Sequence, residues 1–193
     1  SIAEAVQLLH QPPADAALAE LDSGRHPARR RLAFEELLAH QLSLRRLRES
    51  TRRQAAPPLA GGGLCQRFVE RLPFALTAAQ QRVLAEIAAD LAQPRPMLRL
   101  LQGDVGSGKT VVAAAAALRA VESGAQAALM APTELLAEQH DRNLRTWLEP
   151  LGIEVAWLTG RLTGKARRLA LERLASGAVQ VAVGTHALFQ EAV

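Results

Sequence analysis

Cysteine is nearly absent. Cys65 stands alone in 193 residues, so no internal disulfide can form. No nucleophile signature surrounds it, and it reads as a small buried residue. No apolar run approaches the length of a membrane span. No secretory leader is read at the start, and there is no internal repeat or long low-complexity tract. A soluble protein in a reducing, cytoplasmic setting is the expectation. Ser1 does not look like a natural start, so the chain reads as a piece cut from a longer one. Lysine is scarce too: of 23 Lys+Arg, only Lys109 and Lys165 are lysines.

What is present bounds the answer. The length suits one large domain or one and a half small ones. A hydrophobic content of 49% is enough for a packed core, and a net charge of +4 is compatible with a polyanion partner.

One of the two lysines ends the most informative stretch, Gly103-Asp104-Val105-Gly106-Ser107-Gly108-Lys109-Thr110. It fits G-x-x-x-x-G-K-[ST], the phosphate-binding loop of P-loop NTPases. Its glycines allow positive φ and a close backbone approach to a ligand. Successive N–H groups form a nest for anionic oxygens, and the following helix adds its dipole. Lys109 would reach the β- and γ-phosphates of a bound nucleotide, and Thr110 would give its hydroxyl to Mg²⁺. The plain alternative is a Gly-rich turn with a surface lysine. The flanks argue against it: 97–101 reads as a short buried strand entering the loop, and Thr110 to Val121 as an Ala-rich helix leaving it.

Taken in order, residues 1–24 read as short helical pieces broken by Pro12-Pro13. Residues 27 to about 50 read as one long helix. Leu32, Phe34, Leu37, Leu38, Leu42, Leu44 and Leu47 make an apolar stripe along it. Nine arginines against three glutamates lie between Arg25 and Arg53. That face is either a nucleic-acid phosphate surface or a solvated face. No aromatics interleave it, so the solvated face is favoured, and the stripe is expected to dock on a neighbouring domain. Residues 54–63 are a Pro/Gly linker by composition, which gives two segments, 1–63 and 64–193. A short helix follows around 64–72. Thr77 then caps an amphipathic helix running to about Ala92. Gln80 in its first turn carries a donor and an acceptor that could read an adenine edge, and Phe74 could stack on the ring. Capping and core packing explain the same residues equally well.

Beyond the loop helix the chain alternates. Strands are read at 125–131, 153–158 and 179–183, and helices at 134–148 and 165–176. Such alternation indicates βαβ units and a parallel sheet, whose ligands lie beyond the strands' carboxyl ends. Three stretches fall there: Ala131-Pro132-Thr133-Glu134-Leu135, Leu158-Thr159-Gly160-Arg161 and Val183-Gly184-Thr185-His186-Ala187-Leu188. Each offers a hydroxyl and free N–H groups to a phosphate. Singly, each is an ordinary turn with a Thr cap. Three on one rim beside a phosphate loop favour a DNA groove.

The order F-x-L-T-x-x-Q, G-D-V-G-S-G-K-T, A-P-T-E-L-L-A-E-Q-H, L-T-G and V-G-T-H-A-L resembles the superfamily 2 helicases. The wording is close to the bacterial RecG family, ATP-dependent DNA helicases of repair and recombination that remodel stalled forks and Holliday junctions. The related transcription-repair coupling translocases share Gly-Asp-Val-Gly but usually carry an aromatic where Ser107 stands. The resemblance covers nearly the whole chain. It implies a RecA-like P-loop NTPase fold, α/β with a parallel sheet and flanking helices, preceded by an α-helical linker segment. It also implies that Gln80, with Phe74 nearby, recognises adenine, and that Gly103, Asp104, Val105, Gly106, Ser107, Gly108, Lys109 and Thr110 hold ATP and Mg²⁺. The resemblance assigns the catalytic roles to Lys109 and Thr110. Pro132, Thr133, Glu134, Thr159, Gly160, Thr185 and His186 would line branched DNA through backbone contacts that read no sequence. Nucleotide-driven closure of two motor domains would move the DNA.

The family's acidic motif II, second motor domain and wedge domain are not in this sequence, and residues 27–53 look like the helix joining wedge to motor. The expectation is therefore a monomeric piece that binds nucleotide but is inactive in hydrolysis and unwinding alone, with an exposed sheet edge and marginal stability. Rival readings are a small-molecule P-loop kinase, an ATP-gated transporter subunit and a non-catalytic DNA-binding module. No lid segment supports the first, and no Ser-Gly-Gly signature supports the second. Indifference to Lys109→Ala would mark the third.

Overall fold

The computed structural model describes residues 1–14, 21 and 23–189. The chain divides into two units, Ser1–Gln54 and Ala55–Val193.

In the first unit, helix α1 (Ile2–His10) opens with a capping box. Ser1 Oγ accepts from the Glu4 N–H at 3.2 Å, and the Glu4 carboxylate accepts from the Ser1 amino group at 2.7 Å. Helix α2 (Pro27–Arg52) starts where His26 Nδ1 accepts from the Ala28 N–H at 3.2 Å. Pro27 sits at the first helical position, where its missing N–H costs nothing. α1 packs against α2. On α2, Phe34, Leu37, Leu38, Leu42 and Leu47 are exposed. The helical reading of 1–24 falls partly on 15–20 and 22, which lie outside the described residues.

The second unit begins with the Pro/Gly stretch, and that stretch is fastened down. The Ala56 N–H donates to the Pro94 carbonyl at 3.3 Å, and the Leu59 N–H to the Leu91 carbonyl at 2.7 Å. Helix α3 (Gly63–Arg71) has no side-chain cap of its own. Its free N–H groups at Gly63 and Leu64 donate instead to the Glu122 carboxylate, at 2.9 and 3.1 Å. Glu122 is the last residue of helix α5 (Lys109–Glu122), so the stretch is tied to the far end of the helix that leaves the phosphate loop. Helix α4 (Ala78–Leu91) lies between them in sequence.

Three four-residue strands follow: β1 (Ala127–Met130), β2 (Val155–Leu158) and β3 (Val181–Gly184). Helix α6 (Glu134–Leu148) and helix α7 (Gly164–Ala175) connect them. The sheet is parallel, in the order β1-β3-β2. The chain crosses the sheet from β1 to β2 and then steps back to β3. With right-handed crossovers, that reversal sends α6 and α7 to opposite faces. The α/β architecture read from the alternation is therefore the one found. Leu118 of α5, Leu144 and Leu148 of α6 and Val183 of β3 are fully buried in one core. Burying each such side chain contributes about 1.5–3 kcal/mol. Phe68 of α3 meets Trp147 of α6 in a tilted pair, with centroids 6.0 Å apart.

One expectation is corrected. Residues 97–101 are not a buried strand. Met97 and Leu101 pack on the core, but Leu98 and Leu100 are 62% and 87% exposed, and the segment pairs with none of the three strands. The alternation is strand-like, yet without a neighbour's N–H and C=O groups there is no ladder. Side chains hold the segment instead.

Candidate functional site

Arg99 is the clamp on that segment. Its guanidinium donates to Glu86 Oε2 at 2.6 Å and to Asp90 Oδ2 at 2.9 and 2.6 Å, both on α4. Asp90 and then Glu86, by these hydrogen bonds, push its pKa further up, so it is always charged. The clamp joins the segment entering the phosphate loop to the helix that carries Gln80. Sequence reasoning missed it. The available signal was a pair of carboxylates one turn apart on α4 and a lone arginine inside an apolar run.

The loop itself is shaped by glycines at two positions. Gly106 and Gly108 have φ of +79° and +82°. A Cβ on Gly108 would also stand 2.3 Å from Gln80 Nε2. The helix α5 that follows has no side-chain cap, which leaves its first N–H groups for a ligand oxygen. Lys109 Nζ donates to the loop's own carbonyls, at 2.8 Å to Gly103 and 2.6 Å to Asp104. The cation is thus folded across the mouth of the loop it serves. Uncapped helix N-terminus, positive-φ glycines and a lysine at the mouth together fit a polyphosphate, and Thr110 lies in the first turn of α5, where its hydroxyl could hold a divalent cation.

Gln80 connects α4 to this loop. Thr77 caps α4 by accepting from the Gln80 N–H at 3.2 Å, and Gln80 Oε1 accepts from the Thr77 N–H at 2.8 Å. The other end of the same amide donates to the Ser107 carbonyl at 2.9 Å. One amide hydrogen and one oxygen lone pair remain for a ligand. Phe74, 48% exposed, stands just before the same helix.

The strand ends form a second feature. Met130 and Leu158 both pair with Gly184, so the three strands finish at one level. The residues read from sequence as phosphate contacts follow directly. Thr133 is exposed and caps α6, its hydroxyl accepting from the Leu136 N–H at 3.3 Å. The Thr159 side chain is buried, 2% exposed. The Thr159 hydroxyl is therefore not an accessible donor, whereas Gly160, the next residue, is exposed. Pro132 and His186 are exposed, and Thr185 is half-buried, its N–H donating to the Leu158 carbonyl at 3.2 Å. Glu134, the first residue of α6, is ion-paired with Arg161 at 2.7 Å. Arg161 is a rim residue that sequence reasoning did not assign.

No helix among the described residues is long and apolar enough to cross a membrane.

Comparison with known proteins gives concordant results. Residues 77–193 match the family model described as DEAD/DEAH box helicase. The chain is 56% identical over 194 residues to the ATP-dependent DNA helicase RecG of Haemophilus influenzae, covering 100% of this chain and 28% of that protein. It is 57% identical over its whole length to that of Escherichia coli K12, and 46% over 98% to that of Bacillus subtilis. The chain thus spans about a quarter of the length of these curated relatives, 27–28%. A solved structure described as RecG bound to a three-way DNA junction superposes with a TM-score of 0.75 at 44% identity, covering 85% of this chain and 23% of that one.

Proposed function

The chain belongs to the DEAD/DEAH box helicase family, and from that footing we propose that it supplies the nucleotide-binding part of an ATP-dependent helicase that remodels branched DNA in recombination and repair. The likeness to RecG proteins over the full chain supports the branched-DNA substrate. The observation that carries the reading is the Gln80 amide, held between the α4 cap and the Ser107 carbonyl. It puts a group suited to an adenine edge against the loop suited to that nucleotide's phosphates.

The roles then follow from chemistry. Gln80 and Phe74 take the adenine. The N–H groups of Gly103 to Thr110 take the β- and γ-phosphates. Lys109 would exchange its two carbonyl partners for the phosphates, and the Thr110 hydroxyl would hold Mg²⁺. A bound Mg²⁺–ATP supplies the transferable phosphoryl group and the charge that these residues neutralise. Exposed backbone donors at the three strand ends hold DNA phosphates without reading bases. The working setting is the cytoplasm and the working unit is a monomer.

Coupling between the two sites is the test. ATP affinity is measured with and without a three-way DNA junction. A helicase motor binds ATP more tightly when the junction is present, or the junction more tightly when ATP is present, by the same factor. Identical nucleotide affinity in both conditions, together with no salt-dependent junction binding, would sink the reading in favour of a small-molecule enzyme.

A further inference from the structure

The ion pair between Arg161 and Glu134 joins the loops that follow the two outer strands, β2 and β1. The end of β3, with Thr185, lies between those strands. Neighbouring strands stand about 4.8 Å apart, so the pair spans roughly 10 Å of the rim. The Arg161 side chain is 87% exposed while that of Glu134 is 32% exposed. The carboxylate is anchored at the start of α6, where the helix dipole favours a negative charge. The guanidinium reaches over to it from open solvent.

Resting on the DNA reading above, we propose that Arg161 is a phosphate-binding residue of the strand-end rim and that Glu134 is its internal competitor, occupying the guanidinium until a DNA phosphate displaces it. The sequence counted Glu134 among DNA contacts. A carboxylate accepts only and repels a phosphate, so its side chain cannot serve as one. What it can do is stand where a phosphate would stand, against a guanidinium that binds either anion through the same forked donors. Such a pair lowers non-productive affinity and makes binding depend on displacing an exposed ion pair. Exposed pairs are weak, so the displacement is easy.

The experiment measures anisotropy of a fluorescein-labelled three-way junction at several salt concentrations, with the full chain and four variants. Arg161→Gln weakens binding and lowers the slope of log K against log salt by about 1. Glu134→Gln tightens binding by about three- to fivefold. In the Arg161→Gln background, Glu134→Gln gains no more than the general charge effect, less than twofold, because the carboxylate then has nothing to withhold. Glu138→Gln is the charge control: it removes the same charge from α6, where Glu138 pairs with Arg142. It is expected to tighten binding less than twofold. Equal gains from Glu134→Gln and Glu138→Gln, additive effects in the double variant, or an unchanged salt slope for Arg161→Gln would each overturn the proposal while leaving the DNA reading intact. A parent chain that fails to bind the junction would overturn both. Thermal melts accompany each variant, so that a misfolded protein is not counted as a weak binder.

Discussion

Gln80 donates from its side-chain nitrogen to the carbonyl oxygen of Ser107 at 2.9 Å, across 27 residues of sequence. The same amide's oxygen accepts from the Thr77 N–H. A single side chain therefore closes the cap of α4 and fixes its distance from the phosphate loop. Replacing it should disturb two measurable things at once. Gln80→Ala loses the reciprocal cap, a cost of about 1 kcal/mol, and lowers the melting temperature accordingly. It also weakens ATP binding by about tenfold and GTP binding by less, so the preference for adenine is reduced. An unaltered ATP-to-GTP ratio in the variant would mean that Gln80 has only a capping role.

Gly184 is the most tightly enclosed of the described glycines. A Cβ there would stand 1.7 Å from the Leu158 carbonyl oxygen. No side chain can be moved aside to make room, because the obstacle is backbone. Gly184→Ala should part β2 from β3 at the rim and lower stability by about 3 kcal/mol or more in urea. Gly177→Ala provides the contrast. Its φ is +72°, but nothing lies within 4 Å of the added carbon, so only the left-handed penalty of about 1–2 kcal/mol applies. Equal stability for the two variants would contradict the observed register.

Much of this was legible in the sequence, and the reasons are local. Helices α4, α5 and α6 begin where Thr77, the phosphate loop and Thr133 say they should, because caps act within three residues. The phosphate loop was readable because its glycines and lysine are contiguous. The segment 97–101 was misread for an equally plain reason. A short apolar run shows that chain wants cover, not that another strand lies beside it, and Leu98 and Leu100 have none. The Arg99 clamp, the Gln80 tether and the Arg161–Glu134 pair each join residues 9 to 27 apart by their side chains. No periodicity or spacing marks such contacts. Only the fold brings them together.

Cys65 offers a probe of the second unit that is independent of any ligand. Burial pushes its thiol up from the usual cysteine range, with nearby Arg119 opposing and Glu122 assisting. A raised value means less thiolate at neutral pH, and thiolate is the reactive form. Alkylation by iodoacetamide at pH 7.5 should therefore be slower than for a free thiol, accelerate as pH rises, and reach the free-thiol rate in urea. A native rate equal to the unfolded rate would show that the α3 region opens freely.

The account rests above all on the phosphate loop being a working nucleotide site. Titration calorimetry of the chain with Mg²⁺–ATP, beside Lys109→Ala and with circular dichroism to confirm that both are folded, tests this most directly. Charge-assisted hydrogen bonds from Lys109 to the phosphates would contribute about 1.5–3 kcal/mol. The parent chain is predicted to bind and the variant to bind about 10- to 100-fold more weakly. Equal affinity for the folded parent and the folded variant, or no binding by a folded parent, would contradict it.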